Sequence, residues 1–211
     1  MKRPFLLTLT LFAVSASQAA PAKPTKPKTK RKIKAPAISP VEARVRKLIE
    51  QSDEAFHKGD YPTAVKLHRQ IVKIAPDEIE SYSVGAWLLW SLSQDRDISA
   101  SQAASFKADE RAFLAQGLKA NPKNPEMWDA AGQQYALDKS FADAKVAFAK
   151  AVQLSGNKAP ELLRRRMAHA AEGAGDWDLA TRTWMNLVRD YPTEAVNKNN
   201  LARVQAKRSK M

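Results

Sequence analysis

Residues 125–156 read PEMWDAAGQQYALDKSFADAKVAFAKAVQLSG, and the spacing inside this stretch decides the fold of the 211-residue chain. Trp128 is followed by Ala131-Gly132 and then Tyr135, and Ala144 is followed by Phe148 and Ala151. Residues three and four apart share a helix face, so the spacing predicts two short helices packed face to face. Ala131, Gly132, Ala144 and Ala151 let the backbones approach, while Trp128, Tyr135 and Phe148 fill the space around them.

The same order of small and large residues returns on both sides. In residues 41–76, Gly59-Asp60-Tyr61 forms a turn, Ala64 is the small contact, His68 stands where Phe148 stands, and Pro76 ends the unit. In residues 161–192, Gly175-Asp176-Trp177, Ala180, Trp184 and Pro192 repeat that spacing, with Arg164 in the place of Trp128. In residues 78–122, Tyr82 answers Trp128 and Gly85-Ala86 answers Ala131-Gly132, but the unit is longer. Ser99 and Gln102 have the spacing of a capping box, so Ser99 to Lys119 is expected as one elongated helix. Glu110 falls where the small Ala144 sits, which implies locally altered packing. A last helix over 193–207 is expected to turn Ala195, Leu201, Ala202 and Val204 inward as a cap.

This framework resembles the tetratricopeptide repeat, whose period is about 34 residues. The resemblance covers roughly 41–207 and implies an all-α, right-handed α-solenoid of about four helix hairpins plus the C-terminal capping helix. It also implies that the first helix of each hairpin lines a concave groove that takes an extended peptide or a partner helix. Carried over by position, the groove would include Arg46, Ile49, Asp53 and Phe56 in the first unit, and Glu80, Ser83, Trp87 and Trp90 in the second. The third unit would supply Glu126, Asp129, Gln133 and Ala136, and the fourth Leu162, Arg165, His169 and Glu172. Trp87, Trp90, Asp129, Gln133, Arg165 and His169 are the candidate protein-binding residues. Two readings stand for Trp87 and Trp90: interface residues, or core covered by the longer second unit. Of Arg164-Arg165-Arg166, one is expected to face the groove and the others to be solvated. The paired groove Lys, Arg and Asn residues by which chaperone-binding repeat domains clamp a terminal carboxylate are missing, which disfavours that mode.

Charge is concentrated at the two ends. The formal net charge is +13. Seven Lys/Arg and no acid lie in 20–40, and five more without an acid lie in 196–211, which leaves 41–195 close to neutral. A partner made of polyanion would therefore have to meet the ends. Cysteine is absent, which excludes disulfides, a thiol nucleophile, cysteine-ligated metal and a lipidated cysteine.

Residues 1–19 have the form of a secretory signal peptide: Lys2 and Arg3, then an apolar run from Phe5 to Val14, then Ser17-Gln18-Ala19. Cleavage is expected after Ala19, giving an exported chain, periplasmic or extracellular in a bacterium. The apolar run is shorter than the roughly 20 residues a membrane span needs, so no transmembrane segment is expected in the mature chain. Residues 20–40 alternate Pro with Lys and are expected to be a disordered tether. Lys28, Lys30, Arg31, Lys32 and Lys34, with the tail at 208–211, are candidate contacts for an anionic envelope surface; nucleic acid is not expected behind a leader.

No catalytic constellation is evident. Zinc-binding His-Glu-x-x-His, a nucleophile elbow and a phosphate-cradling glycine loop are all missing from the sequence. His169 and Glu172, three apart, are the one pair able to orient a general base; a structural pairing is the plainer reading. His68 is read as a core residue, and the Asp and Glu residues as solvated helix faces. The expectation is a non-enzymatic adaptor without cofactor or metal, working through protein partners. The alternative is an envelope tether acting through the basic ends.

Overall fold

The computed structural model describes residues 38–210. Among these, the chain forms nine α-helices and no strand. They are α1 (Pro40–His57), α2 (Tyr61–Ile74), α3 (Ile79–Ser93), α4 (Ala100–Ala120), α5 (Pro125–Leu137), α6 (Phe141–Ser155), α7 (Glu161–Gly173), α8 (Trp177–Asp190) and α9 (Ala195–Arg208). The first eight pair as four consecutive hairpins stacked into a solenoid, and α9 covers α8. The leader and the basic segment ending at Lys34 lie outside the described residues.

Local chemistry sets the helix starts. Ser39 and Glu42 form a capping box ahead of Pro40, and Ser99 and Gln102 form another at the elongated α4. Asp60 and Asp176 accept the Thr63 and Leu179 backbone N–H groups at 3.1 and 3.0 Å, holding the first turns of α2 and α8. Each of these two helices follows a glycine in the left-handed region, Gly59 at φ 75° and Gly175 at φ 74°. The equivalent turn between α5 and α6 places Lys139 there instead, at φ 58°.

The core runs along the seam between paired helices. Tyr82 and Phe113 are buried with ring centroids 5.2 Å apart, joining α3 to α4. A Cβ on Gly132 would lie 2.6 Å from the Phe148 ring, so the α5–α6 contact depends on that missing methyl. Trp184, Leu187 and Val204 close the C-terminal end, all fully buried.

Consecutive hairpins are also strapped on the even-numbered helices. Arg69 on α2 bonds Asp109 on α4 at 2.9 Å, Arg111 on α4 bonds Asp143 on α6 at 2.9 Å, and Lys145 on α6 bonds the α8 cap Asp176 at 2.8 Å. Arg208 on α9 completes the series on Asp178 at 2.6 Å.

Three sequence expectations change here. Ala195 and Ala202 are exposed, not inward; the buried face of α9 runs through Asn197, Leu201 and Val204, because Asn197 accepts from Arg165 and donates to Glu161 at 2.8 and 2.9 Å. None of Arg164, Arg165 and Arg166 is merely solvated: Arg164 pairs with Asp190 at 2.8 Å, Arg165 with Glu161, and Arg166 with Asp129 at 2.6 Å. The carboxylates are not all solvated faces either. Glu110 is fully buried against Asp138 and Gln134, with no cationic nitrogen within 4.0 Å among the described residues. Burial, then the Asp138 charge, pushes the Glu110 carboxyl up to about 7.

Candidate protein-binding face

The odd-numbered helices adjoin one another along one face, α3 touching α5 and α5 touching α7. Phe56 on α1 reaches Trp87 on α3, with ring centroids 6.1 Å apart and planes tilted by 52°. Phe56 also stacks on Tyr61 at 5.5 Å, so its ring is held from two sides. Between α1 and α3 lies a cleft of about 370 Å³, walled by Ile49, Phe56, Val84 and Trp87 and rimmed by Asp53, Glu78 and Glu80. Ser52 and His68 also line it, with Ser52 Oγ 3.0 Å from His68 Nε2. His68 is 6% exposed and its Nδ1 has no partner. Burial lowers its pKa and outweighs the raising influence of Asp53, which favours the neutral ring.

Trp87 also borders a shallower cleft of about 230 Å³ shared with Gln133 and Leu137. Gln133 and Leu137 in turn border a cleft of about 400 Å³ with Phe141, Arg166 and His169. Three depressions thus follow one another from α1 to α7, linked by Trp87 and then by Gln133 and Leu137.

The sequence-derived candidates divide accordingly. Trp87, 37% exposed, joins two clefts; Gln133 joins two; His169 lines the third. Asp129 lines a further cleft of about 590 Å³ with Leu162 and Arg166, the last shared with the third cleft, and its charge is matched by Arg166. Trp90 is half-buried and lines none of these clefts, so spacing on one helix does not give the two tryptophans the same surroundings. Arg165 lines none either and is engaged by Glu161, Glu194 and Asn197. Leu137, Glu78 and the His68–Ser52 pair were missed from the sequence. His68 carried a signal, a polar residue in an aromatic slot, but Leu137 lies just past the last position the repeat pattern assigns.

His169 and Glu172 do approach, Nδ1 to Oε1 at 3.5 Å, but Glu172 is committed elsewhere. It accepts from Trp184 Nε1 at 2.9 Å and from both terminal nitrogens of Arg203. Burial opposes its charge, yet the hydrogen bonds from His169, Arg203 and Trp184 outweigh that and pull its pKa down to about 2. Such a carboxylate pins helices together through Trp184 and Arg203. At the C-terminus Lys207 lies 5.7 Å from the centre of the Trp177 ring and Arg208 is paired, so the basic end is partly engaged on α8.

The fold is shared with several solved structures. TTC0263, a thermophilic TPR protein of Thermus thermophilus, superposes with a TM-score of 0.55 at 15% identity, over 77% of this chain and 81% of that one. MamA from Desulfovibrio magneticus RS-1 gives 0.57 at 12% identity, over 82% and 88%. PilF of Pseudomonas aeruginosa gives 0.55 at 11% identity, over 82% and 72%. No family model matches the chain, and no curated protein matches its sequence. The described residues therefore have the tetratricopeptide-repeat solenoid fold, and identities this low carry the fold alone.

Proposed function

We propose that this chain is a non-enzymatic scaffold that holds a partner protein along the face of its odd-numbered helices. One observation carries the reading: Ile49, Phe56, Trp87 and Leu137 remain exposed on successive odd-numbered helices and line a connected series of clefts. Scattered exposed apolar residues are normal, as Val146 and Met185 on the even-numbered helices illustrate. Apolar side chains gathered in clefts with polar rims are the mark of an interaction site. The solenoid neighbours support the same reading by analogy of fold.

A photo-crosslinking residue at Trp87 or at Gln133 should capture a partner in intact cells, and one at Val146 should not. Equal capture at all three positions, or capture only at Val146, would reject this face.

The leader-like sequence of residues 1–19 supports export to the cell envelope. Fractionation with N-terminal sequencing checks it: a mature chain starting at Ala20 is expected, and a retained Met1 in the cytoplasm overturns it. The acid-free basic run within 20–40 supports a second, subsidiary role in adhesion to anionic envelope surfaces. That adhesion should disappear in about 0.5 M salt, where the Debye length is about 4 Å; binding that persists excludes it.

A further inference from the structure

We propose that the cleft between α1 and α3 receives a cationic segment of the partner protein. One large apolar side chain of that segment sits between Phe56 and Trp87, and flanking Lys or Arg residues face Asp53, Glu78 and Glu80. This rests on the scaffold reading above and adds the chemistry of the ligand.

The charge around the cleft is one-sided. Three carboxylates border it, and neither Lys nor Arg does. Among the described residues, none of the three has a cationic nitrogen within 4.0 Å. On α5 and α7 three carboxylates show the reverse, Asp129 met by Arg166, Glu161 by Arg165 and Glu172 by Arg203, while Glu126 on α5 has no such partner among the described residues. Those three paired carboxylates are engaged by the fold, whereas the three at the first cleft are left for something else. A cleft lined by one sign of charge concentrates ligands of the opposite sign.

His68 lies in the wall of the same cleft. A nearly buried ring lining the cleft, with one nitrogen bonded to Ser52 and the other without a partner, is a polar group the fold has not fully satisfied. Its neutrality matters as well, because an imidazolium there would repel a cationic ligand. The aromatic walls suit the apolar half of the ligand and favour a cation passing over their faces. An acidic segment would meet three like charges and no donor cation.

The test uses the full chain and three synthetic peptides, followed by fluorescence anisotropy. The first has a central Leu-Phe pair flanked on each side by Lys-Arg. The second replaces every base by Glu, and the third replaces Leu-Phe by Ser-Ser. The first peptide should bind, and each of the others should bind at least about tenfold more weakly. The Asp53→Asn/Glu78→Gln/Glu80→Gln variant should lose roughly tenfold for the first peptide, three solvent-reached charge contacts each contributing a small factor. It leaves the apolar walls intact, and circular dichroism verifies its fold. No binding of the first peptide, equal binding of the acidic one, or unchanged affinity in the triple variant would overturn the proposal. Crosslinking at Trp87 in cells separates the two levels. A captured partner whose crosslinked segment is acidic keeps the scaffold face and removes only the cationic ligand; no capture at either Trp87 or Gln133 removes both.

Discussion

Arg166 on α7 closes a 2.6 Å ion pair on Asp129 of α5, and that contact joins the third hairpin to the fourth on the face that carries the clefts. Asp129 is mostly covered and its other oxygen, Oδ1, has no partner. Burial raises its pKa, with the Arg166 charge acting against that rise. Removing one member of a desolvated pair strands the other. Arg166→Ala should therefore cost about 1–3 kcal/mol in urea unfolding. The double variant Arg166→Ala/Asp129→Ala should recover part of that loss, and a strictly additive double variant would show that the pair contributes nothing.

Glu110 gives stability a pH dependence of unusual sign. Its folded carboxyl, at about 7, binds a proton more tightly than an unfolded glutamate near 4.5. Its contribution is complete below about pH 4.5, falls as the pH rises toward 7, and is level above that, a loss of roughly 3 kcal/mol. His68, held toward the neutral state by burial, works the opposite way up to its unfolded value near 6.5. Comparison with Glu110→Gln isolates the carboxyl. The variant should gain stability relative to the parent between about pH 5 and pH 8, and a difference that is the same at both values would remove the carboxyl as the cause.

The turn at Lys139 departs from its two counterparts. A left-handed φ costs a residue with a Cβ roughly 1 kcal/mol relative to glycine, partly offset by the greater freedom of glycine in the unfolded chain. Lys139→Gly should leave stability unchanged or raise it by up to about 1 kcal/mol. Gly59→Ala and Gly175→Ala should each lower it by about 1 kcal/mol. Midpoints of thermal unfolding check all three, and a clear loss in Lys139→Gly would show that its side chain matters more than the turn.

Glu172 is gripped by Arg203 of α9 and by the buried Trp184 of α8. Arg203→Met should cost about 1–3 kcal/mol at neutral pH, the usual range for a charge-assisted hydrogen bond. It should also raise hydrogen exchange in α9 before any other helix. Because the Glu172 pKa is lowered to about 2, the difference from the parent should shrink as the pH falls from 4.5 toward that value.

The architecture was legible because Ala131, Gly132, Ala144 and Phe148 report close helix approach, a property of spacing alone. The capping pair Ser99–Gln102 likewise announced α4 without help from its neighbours. What stayed hidden depends on contacts distant in sequence. Nothing local in α9 says that Asn197 is buried, because its partners Arg165 and Glu161 lie 32 and 36 residues earlier. The three consecutive arginines look alike in sequence, yet each finds a different acid. Trp87 and Trp90 sit three apart on one helix but do not share a cleft, which spacing alone does not reveal. The groove offsets gave Asp53 and Phe56 their place; they could not say which carboxylates the fold would neutralise.

The straps on the even-numbered helices have a mechanical consequence. Arg69–Asp109, Arg111–Asp143 and Lys145–Asp176 each link residues only 40, 32 and 31 positions apart. Such a stack behaves like a leaf spring, in which each joint flexes a little and passes the remainder onward. An occupant that spreads α1 from α3 would therefore load the first joint most and the last one least.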